Sequence, residues 1–234
     1  MAVTAKQVKD LRDITGLGMM DCKKALVEVD GDIEKAVEFL RKSQGIKADK
    51  KQGRVAADGV VVSAISDDAT HAVMLELNCE TDFVSRDNNF LMYSDSVLQH
   101  ALTLPGVDVA HILNETVPGS EKSFDENRKE LISKVGENVQ LRRVSSFAGV
   151  CFGSYVHGNK IGVLVQLEKL DVELAKDIAM HIAACGPKAV KEEDLDQDLL
   201  NKERDIYVGQ AASSGKPEAI VEKMVAGKIA KYIK

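Results

Sequence analysis

Asp82 and Phe83 stand side by side in LELNCETDFVSRDNNF, residues 75–90, a stretch that begins like a strand and ends like a helix. A large apolar ring can enter a pocket on a partner, and a carboxylate beside it can compete for polar ligands there. The quartet Thr81, Asp82, Phe83 and Val84 therefore admits two readings. In one, Phe83 folds back onto its own core and Asp82 caps the following turn. In the other, the loop presents Phe83 as a wedge and Asp82 as a competitor for polar ligands.

Other constellations point away from bond-breaking chemistry. His181 and Cys185 lie one helical turn apart, a spacing that can share a metal, but their stripe is apolar and no other His or Cys is near, so a packed core pair is expected. The chain has no G-x-x-x-x-G-K-[ST] to cradle phosphates and no G-x-S-x-G nucleophile elbow. Cys22, Cys79, Cys151 and Cys185 are far apart with no C-x-x-C, so neither a zinc knuckle nor a bound cofactor is expected. Met19 and Met20, at a helix start, suit either core filling or a pliable contact surface. His157, in a turn beside Gly158, is a candidate surface contact.

Composition sets the frame for these residues. The chain has 234 residues and a formal net charge of −6, which disfavours bulk nucleic-acid binding and anionic membranes. No run approaches the ~18 apolar residues needed to span a bilayer. The N-terminus lacks a basic segment followed by an apolar one, so no signal peptide is read there. Free thiols without an export signal fit a cytoplasmic protein. Aromatics are scarce and Trp is absent, so aliphatic cores are expected.

The elements that must position the candidates follow from periodicity. Residues 4–42 read as three short helices: Thr4 caps the first, TGLG (residues 15–18) breaks it, Gly31 suits a left-handed cap and Asp32 the next N-cap. The basic stretch 45–57 lacks apolar periodicity and reads as a linker. From Gly59 the period becomes strand-like, with GVVVSAI and HAVMLEL forming a hairpin signal. An amphipathic helix follows from Phe90, and another runs from Ser123 to Gly136. A second β region, residues 138–167, leads to a helix bearing Leu174, Ile178, Ile182 and Cys185. Two regions with this similar plan predict two related α+β halves with antiparallel sheets. The end is a two-helix arm around SSGKP, with Leu195, Leu199, Ile206, Ile220, Met224 and Ile229 as its seam and Gly215 and Pro217 as its punctuation.

Six stretches together carry a family resemblance: residues 10–42 (DLRDITGLGMMDCKKALVEVDGDIEKAVEFLRK), VAADG (55–59), ETDFV (80–84), KVGENVQLRR (134–143), GSYVHG (153–158) and IAMHIAA (178–184). In this order they resemble bacterial translation elongation factor Ts. The resemblance implies an α+β fold: a ubiquitin-associated-like three-helix bundle (residues 1–44), the basic linker (45–57), a first core half (58–137), a second core half (138–187) and a helical hairpin arm (188–234). It implies a guanine-nucleotide exchange factor that binds elongation factor Tu, principally its GTPase domain, and releases GDP without covalent catalysis. Thr81, Asp82, Phe83 and Val84 would displace the partner's Mg2+. Met19, Met20, Lys23, Val135 and His157 would contact the partner. The arm is a candidate for dimerisation. Members of the family generally continue past the arm, so a natural short form or a fragment is expected, and the completeness of the second half stays open. The competing expectation is a ubiquitin-associated-like binding module without exchange activity.

Overall fold

In a computed structural model, which describes residues 3–212 and 217–233, Thr4 opens helix α1 (Ala5–Thr15) with a capping box: its hydroxyl accepts from the Gln7 amide, and the Gln7 side chain accepts from the Thr4 N–H. Gly16 closes it at φ 67°, a left-handed conformation that costs glycine little. Helices α2 (Met19–Glu28) and α3 (Ile33–Asp49) follow. Between them Gly31 takes φ 86° and Asp32 accepts from the Lys35 amide. Leu11, Cys22, Ala25, Leu26, Ala36 and Leu40 are buried together as the bundle's own core.

Helix α3 runs into the basic stretch expected to be a linker, and Ala48 is buried in the next core. The helix therefore carries part of that stretch, to Asp49, although it lacks apolar periodicity.

Strands β1 (Asp58–Ile65), β2 (His71–Cys79) and β3 (Gln140–Ala148) form an antiparallel sheet in the order β1-β2-β3. One face is covered by helices α4 (Asp82–Ser85), α5 (Asn88–Leu102), α6 (Val109–Asn114) and α7 (Phe124–Val135). Leu75, Leu77, Phe90, Val97, Phe124 and Ile132 meet in this main core. Each such side chain contributes about 1.5–3 kcal/mol of apolar burial. Ser123 caps α7 with a capping box, and Gly136 ends it at φ 82°.

Strand β3 belongs to the first sheet, although its place in the sequence suggested the second half. Its register against β2 shifts between Glu76 and Leu77, where Arg143 and Leu141 are the partners and Arg142 is the extra residue. This bulge reconciles Leu141 and Val144, three positions apart, with a single core face.

Strands β4 (Cys151–His157) and β5 (Ile161–Leu167) form a separate antiparallel ribbon. Gly158 and Asn159 turn it at φ 54° and 56°. The ribbon is pinned to the first sheet at both ends: Val61 N–H donates to Asn159 O, and Phe152 N–H to Ala69 O. Helix α8 (Val172–Cys185) buries Ala175 and Ala179, not the expected stripe of larger residues, and Leu174 is exposed. The reason is close approach: a β-carbon on Gly153 would stand 2.5 Å from the Ala175 β-carbon. Only small residues fit that contact.

Contacts divide the chain into two units, Met1–Ala184 and Cys185–Lys234. In the second, α9 (Gln197–Ala212) packs on α10 (Glu218–Ile233) through Ala211, Val225 and Ile229, with Tyr207, Val221 and Ile233 beside them. Of the expected seam Ile229 is buried, while Ile206 and Ile220 are exposed. Apolar residues wrap more than one face of each helix, so periodicity alone did not choose the stripe. Residues 213–216, including Gly215, lie outside the described residues. Pro217 stands just before α10, and its carbonyl accepts from the Ile220 and Val221 amides. Among the described residues no helix is long and apolar enough to cross a membrane.

Candidate functional site: an anchored loop with an outward ring

The stretch that carries Asp82 and Phe83 begins where β2 leaves the sheet. Val84 is 8% exposed and belongs to the main core, whereas Phe83 is 83% exposed. Phe83 therefore does not fold back onto its own core. Ser85, buried behind it, donates from its hydroxyl to the Asp82 carbonyl at 3.0 Å. The Asp82 carboxylate points outward and meets Arg86 at 3.1 Å, in an ion pair open to solvent.

Thr81 is held from a different part of the chain. Its N–H and the N–H of Glu80 donate to Glu137 Oε2 at 3.0 and 3.2 Å, and its hydroxyl donates to Glu137 Oε1 at 2.7 Å. The Glu80 carboxylate answers by accepting from the Asn138 N–H at 2.7 Å, with Arg54 at 3.5 Å. Asn138 in turn donates through its side-chain amide to the Arg54 carbonyl at 2.9 Å. Two glutamates thus clasp the loop after β2 to the loop between α7 and β3, and the segment after α3 is tied in.

Buried chemistry supports the same corner. The Cys79 thiol donates to the Thr81 carbonyl at 3.1 Å; burial pushes its pKa up to about 11, with the Asp58 and Glu137 carboxylates adding to the rise. The Asp58 carboxyl is held below its ordinary range, first by a hydrogen bond from Lys160 and then by the Gly59 N–H. Lys160 follows the Gly158–Asn159 turn, so the turn beside His157 is fastened to the same end of the sheet, 2.7 Å from Lys160 Nζ to Asp58 Oδ1.

The remaining expected contact residues occupy other positions. Met19, Met20 and Lys23 are exposed on α2. Val135 is half-buried at the end of α7 and packs against the main core. His157 is exposed at the end of β4, its Nδ1 3.0 Å from the Tyr155 hydroxyl. Lys134, next to Val135, lies against Gly16 at the start of the α1–α2 turn, 3.7 Å from where a β-carbon would stand. His181 and Cys185, expected to pack in a core, are both exposed, and no metal-binding group of His, Cys, Asp or Glu occurs among the described residues.

The sequence model of the family described as Elongation factor TS matches residues 80–234. The chain is 54% identical to the elongation factor Ts of Thioalkalivibrio sulfidiphilus, over 100% of this chain and 80% of that relative. The chain belongs to the elongation factor Ts family. The Hahella chejuensis elongation factor Ts is 52% identical over 99% of this chain and 79% of its own length. The Arthrospira platensis elongation factor Ts is 48% identical, with 94% of its length covered. The matched segment of the elongation factor Ts model opens at Glu80, the first residue of the clasp, and so includes the whole of the Phe83 loop. ETDFV and KVGENVQLRR, separate motifs in the sequence, are joined here through Glu80 and Glu137. No pattern within either motif names the other as its partner.

Proposed function

We propose that this chain is the guanine-nucleotide exchange factor for elongation factor Tu, acting by binding and without covalent catalysis. The observation that carries the reading is an aromatic ring 83% exposed on a loop whose neighbours on both sides are anchored, within a member of the elongation factor Ts family. An exposed Phe beside an exposed carboxylate is a poor device for the chain's own stability and a good one for intruding on a partner.

The mechanism follows from what a GTPase needs to hold its nucleotide. Mg2+ bridges the phosphate oxygens and is held by a few polar groups of the GTPase. Phe83 enters between elements of the partner's nucleotide domain, and Asp82, leaving Arg86, disturbs the groups around the metal. The phosphates are then less compensated and GDP leaves faster. A thousandfold acceleration requires about 4 kcal/mol. Burying one Phe supplies about 1.5–3 kcal/mol, so the ring does not suffice alone. The metal disturbance and a second contact supply the rest; Met19, Met20 and Lys23 on α2, with His157 and Val135, are the proposed places for it. Linkage makes the effect reciprocal: nucleotide weakens the factor's binding by the same factor, which permits turnover.

The test is release of labelled GDP from elongation factor Tu in the presence of wild-type chain, F83A and D82A. Wild type is expected to accelerate release and both variants to lag. No acceleration by wild type overturns the reading; variants as fast as wild type overturn the wedge.

A further inference from the structure

The clasp described above does more than fasten a loop, and its centre is a residue outside the exposed site. Glu137 sits 56 residues beyond Thr81 in sequence. One carboxylate there collects three donors: two backbone N–H groups and the Thr81 hydroxyl. Hydrogen bonds to an ionised acceptor are about twice as strong as neutral ones. A carboxylate also has the lone pairs to accept all three at once.

The geometry places these bonds on the N-terminal side of α4. On its C-terminal side Val84 is buried in the core and Ser85 is buried and bonded to the Asp82 carbonyl. Phe83 lies between the two fixed points. A ring that intrudes on a partner must arrive already aimed, because ordering it on contact would consume binding energy meant for the partner's distortion. We propose that Glu137 is a positioning residue for nucleotide exchange, which holds Thr81 so that Phe83 stands out from the core in its intruding direction. Glu80 and Asn138 hold Glu137's own loop in place by the return bond, Asn138 N–H to Glu80 Oε1 at 2.7 Å. This inference rests on the reading of Phe83 as the intruding group.

Without Glu137, the Glu80 and Thr81 amides and the Thr81 hydroxyl lose their acceptor. The loop relaxes and Phe83 samples directions in which it does not fit. Binding through the other contacts persists, so the maximal rate falls while the concentration for half-maximal effect barely moves.

The experiment measures labelled GDP release from elongation factor Tu against factor concentration for wild type, E137A, E137Q, F83A and E137A/F83A, using the full chain. E137A is expected to lower the maximal rate by about tenfold to a hundredfold, with half-saturation within about twofold. E137Q keeps a carbonyl for the two amides and turns its NH2 to the Thr81 hydroxyl, which accepts; its rate stays within about threefold of wild type. In the F83A background E137A adds no further loss, because its effect runs through Phe83. Overturning results are an unchanged maximal rate in E137A, an equal further loss in the F83A background, or an E137Q as slow as E137A at equal thermal stability. If F83A alone matches wild type, the wedge reading fails and this inference falls with it; if F83A is slow and E137A is not, only the inference fails.

Discussion

Phe83 and Val84 are adjacent in the chain and opposite in environment, the first 83% exposed and the second 8% exposed within the main core. The backbone of a one-turn helix, fixed at Thr81 on one side and at Ser85 on the other, sends successive side chains in different directions. One anchors and the next is presented. This division separates stability from activity at neighbouring positions, and it makes them separable by mutation.

Val84→Ala deletes two buried methyl groups and leaves a gap, and is expected to destabilise the chain by about 1–3 kcal/mol. Phe83→Ala removes an exposed ring and shifts stability by less than about 0.5 kcal/mol. Urea unfolding of both variants checks this. GDP-release rates should rank them in the reverse order, Phe83→Ala being the slower at temperatures where both are folded.

Asp82 and Arg86 form a solvent-open ion pair at 3.1 Å, with side chains 50% and 79% exposed. Such a pair is worth about 0–1 kcal/mol. Arg86→Ala should therefore leave the unfolding midpoint close to wild type. If Asp82 acts on the partner, Asp82→Ala slows exchange while Arg86→Ala, which only frees Asp82, does not. An exchange assay on the two variants decides it; equal slowing in both would make the pair, and not the carboxylate, the functional unit.

Thiol reactivity should follow burial. Cys22, Cys79 and Cys151 are buried and Cys185 is exposed. The Cys79 thiol, pushed up to about 11 chiefly by burial, is protonated at neutral pH and lacks the reactive thiolate. Timed alkylation of the folded chain, read by mass spectrometry, is expected to modify Cys185 first and the other three only after denaturation.

Acid sensitivity has an identifiable contributor at Asp125. Burial raises its carboxyl, but hydrogen bonds and charge from Lys129 and Arg128 outweigh that, and the net shift is downward. A carboxyl depressed in the folded state stabilises above its unfolded value near about 3.9 and loses that contribution as pH falls through the folded value. Arg128 is buried and also donates to the Val139 carbonyl at 2.9 Å. Asp125→Asn is expected to destabilise by about 1–3 kcal/mol at neutral pH, less than a fully buried pair because Lys129 is partly solvated. Asn does not titrate, so the gap to wild type should close below about pH 4. Urea midpoints of both chains from pH 7 to pH 3 measure it.

Much of the architecture was legible in short stretches of sequence. Thr4 caps α1, the TGLG stretch ends it at Gly16, and Gly136 ends α7, by interactions that span three or four residues, as their types suggest. The Phe90 helix, the hairpin of the first two strands and the Gly158–Asn159 turn were likewise recoverable, because their patterns are local. The family resemblance rested on the same local strings.

What sequence determined by itself, then, was most of the helices and strands, and the family. Only the tertiary structure decided which strands share a sheet, that α3 continues past its periodic part, that α8 packs through Ala175 and Ala179, and which stripe closes the arm. It alone turned Phe83 outward and brought Glu137 to Thr81 across 56 residues. The physical reason is one of range. Caps, turns and periodicity are energies between neighbours along the chain, whereas strand partners, close helix contacts and a shared carboxylate depend on which distant segment supplies the other half of the contact. No pattern within one segment names that partner; the fold does.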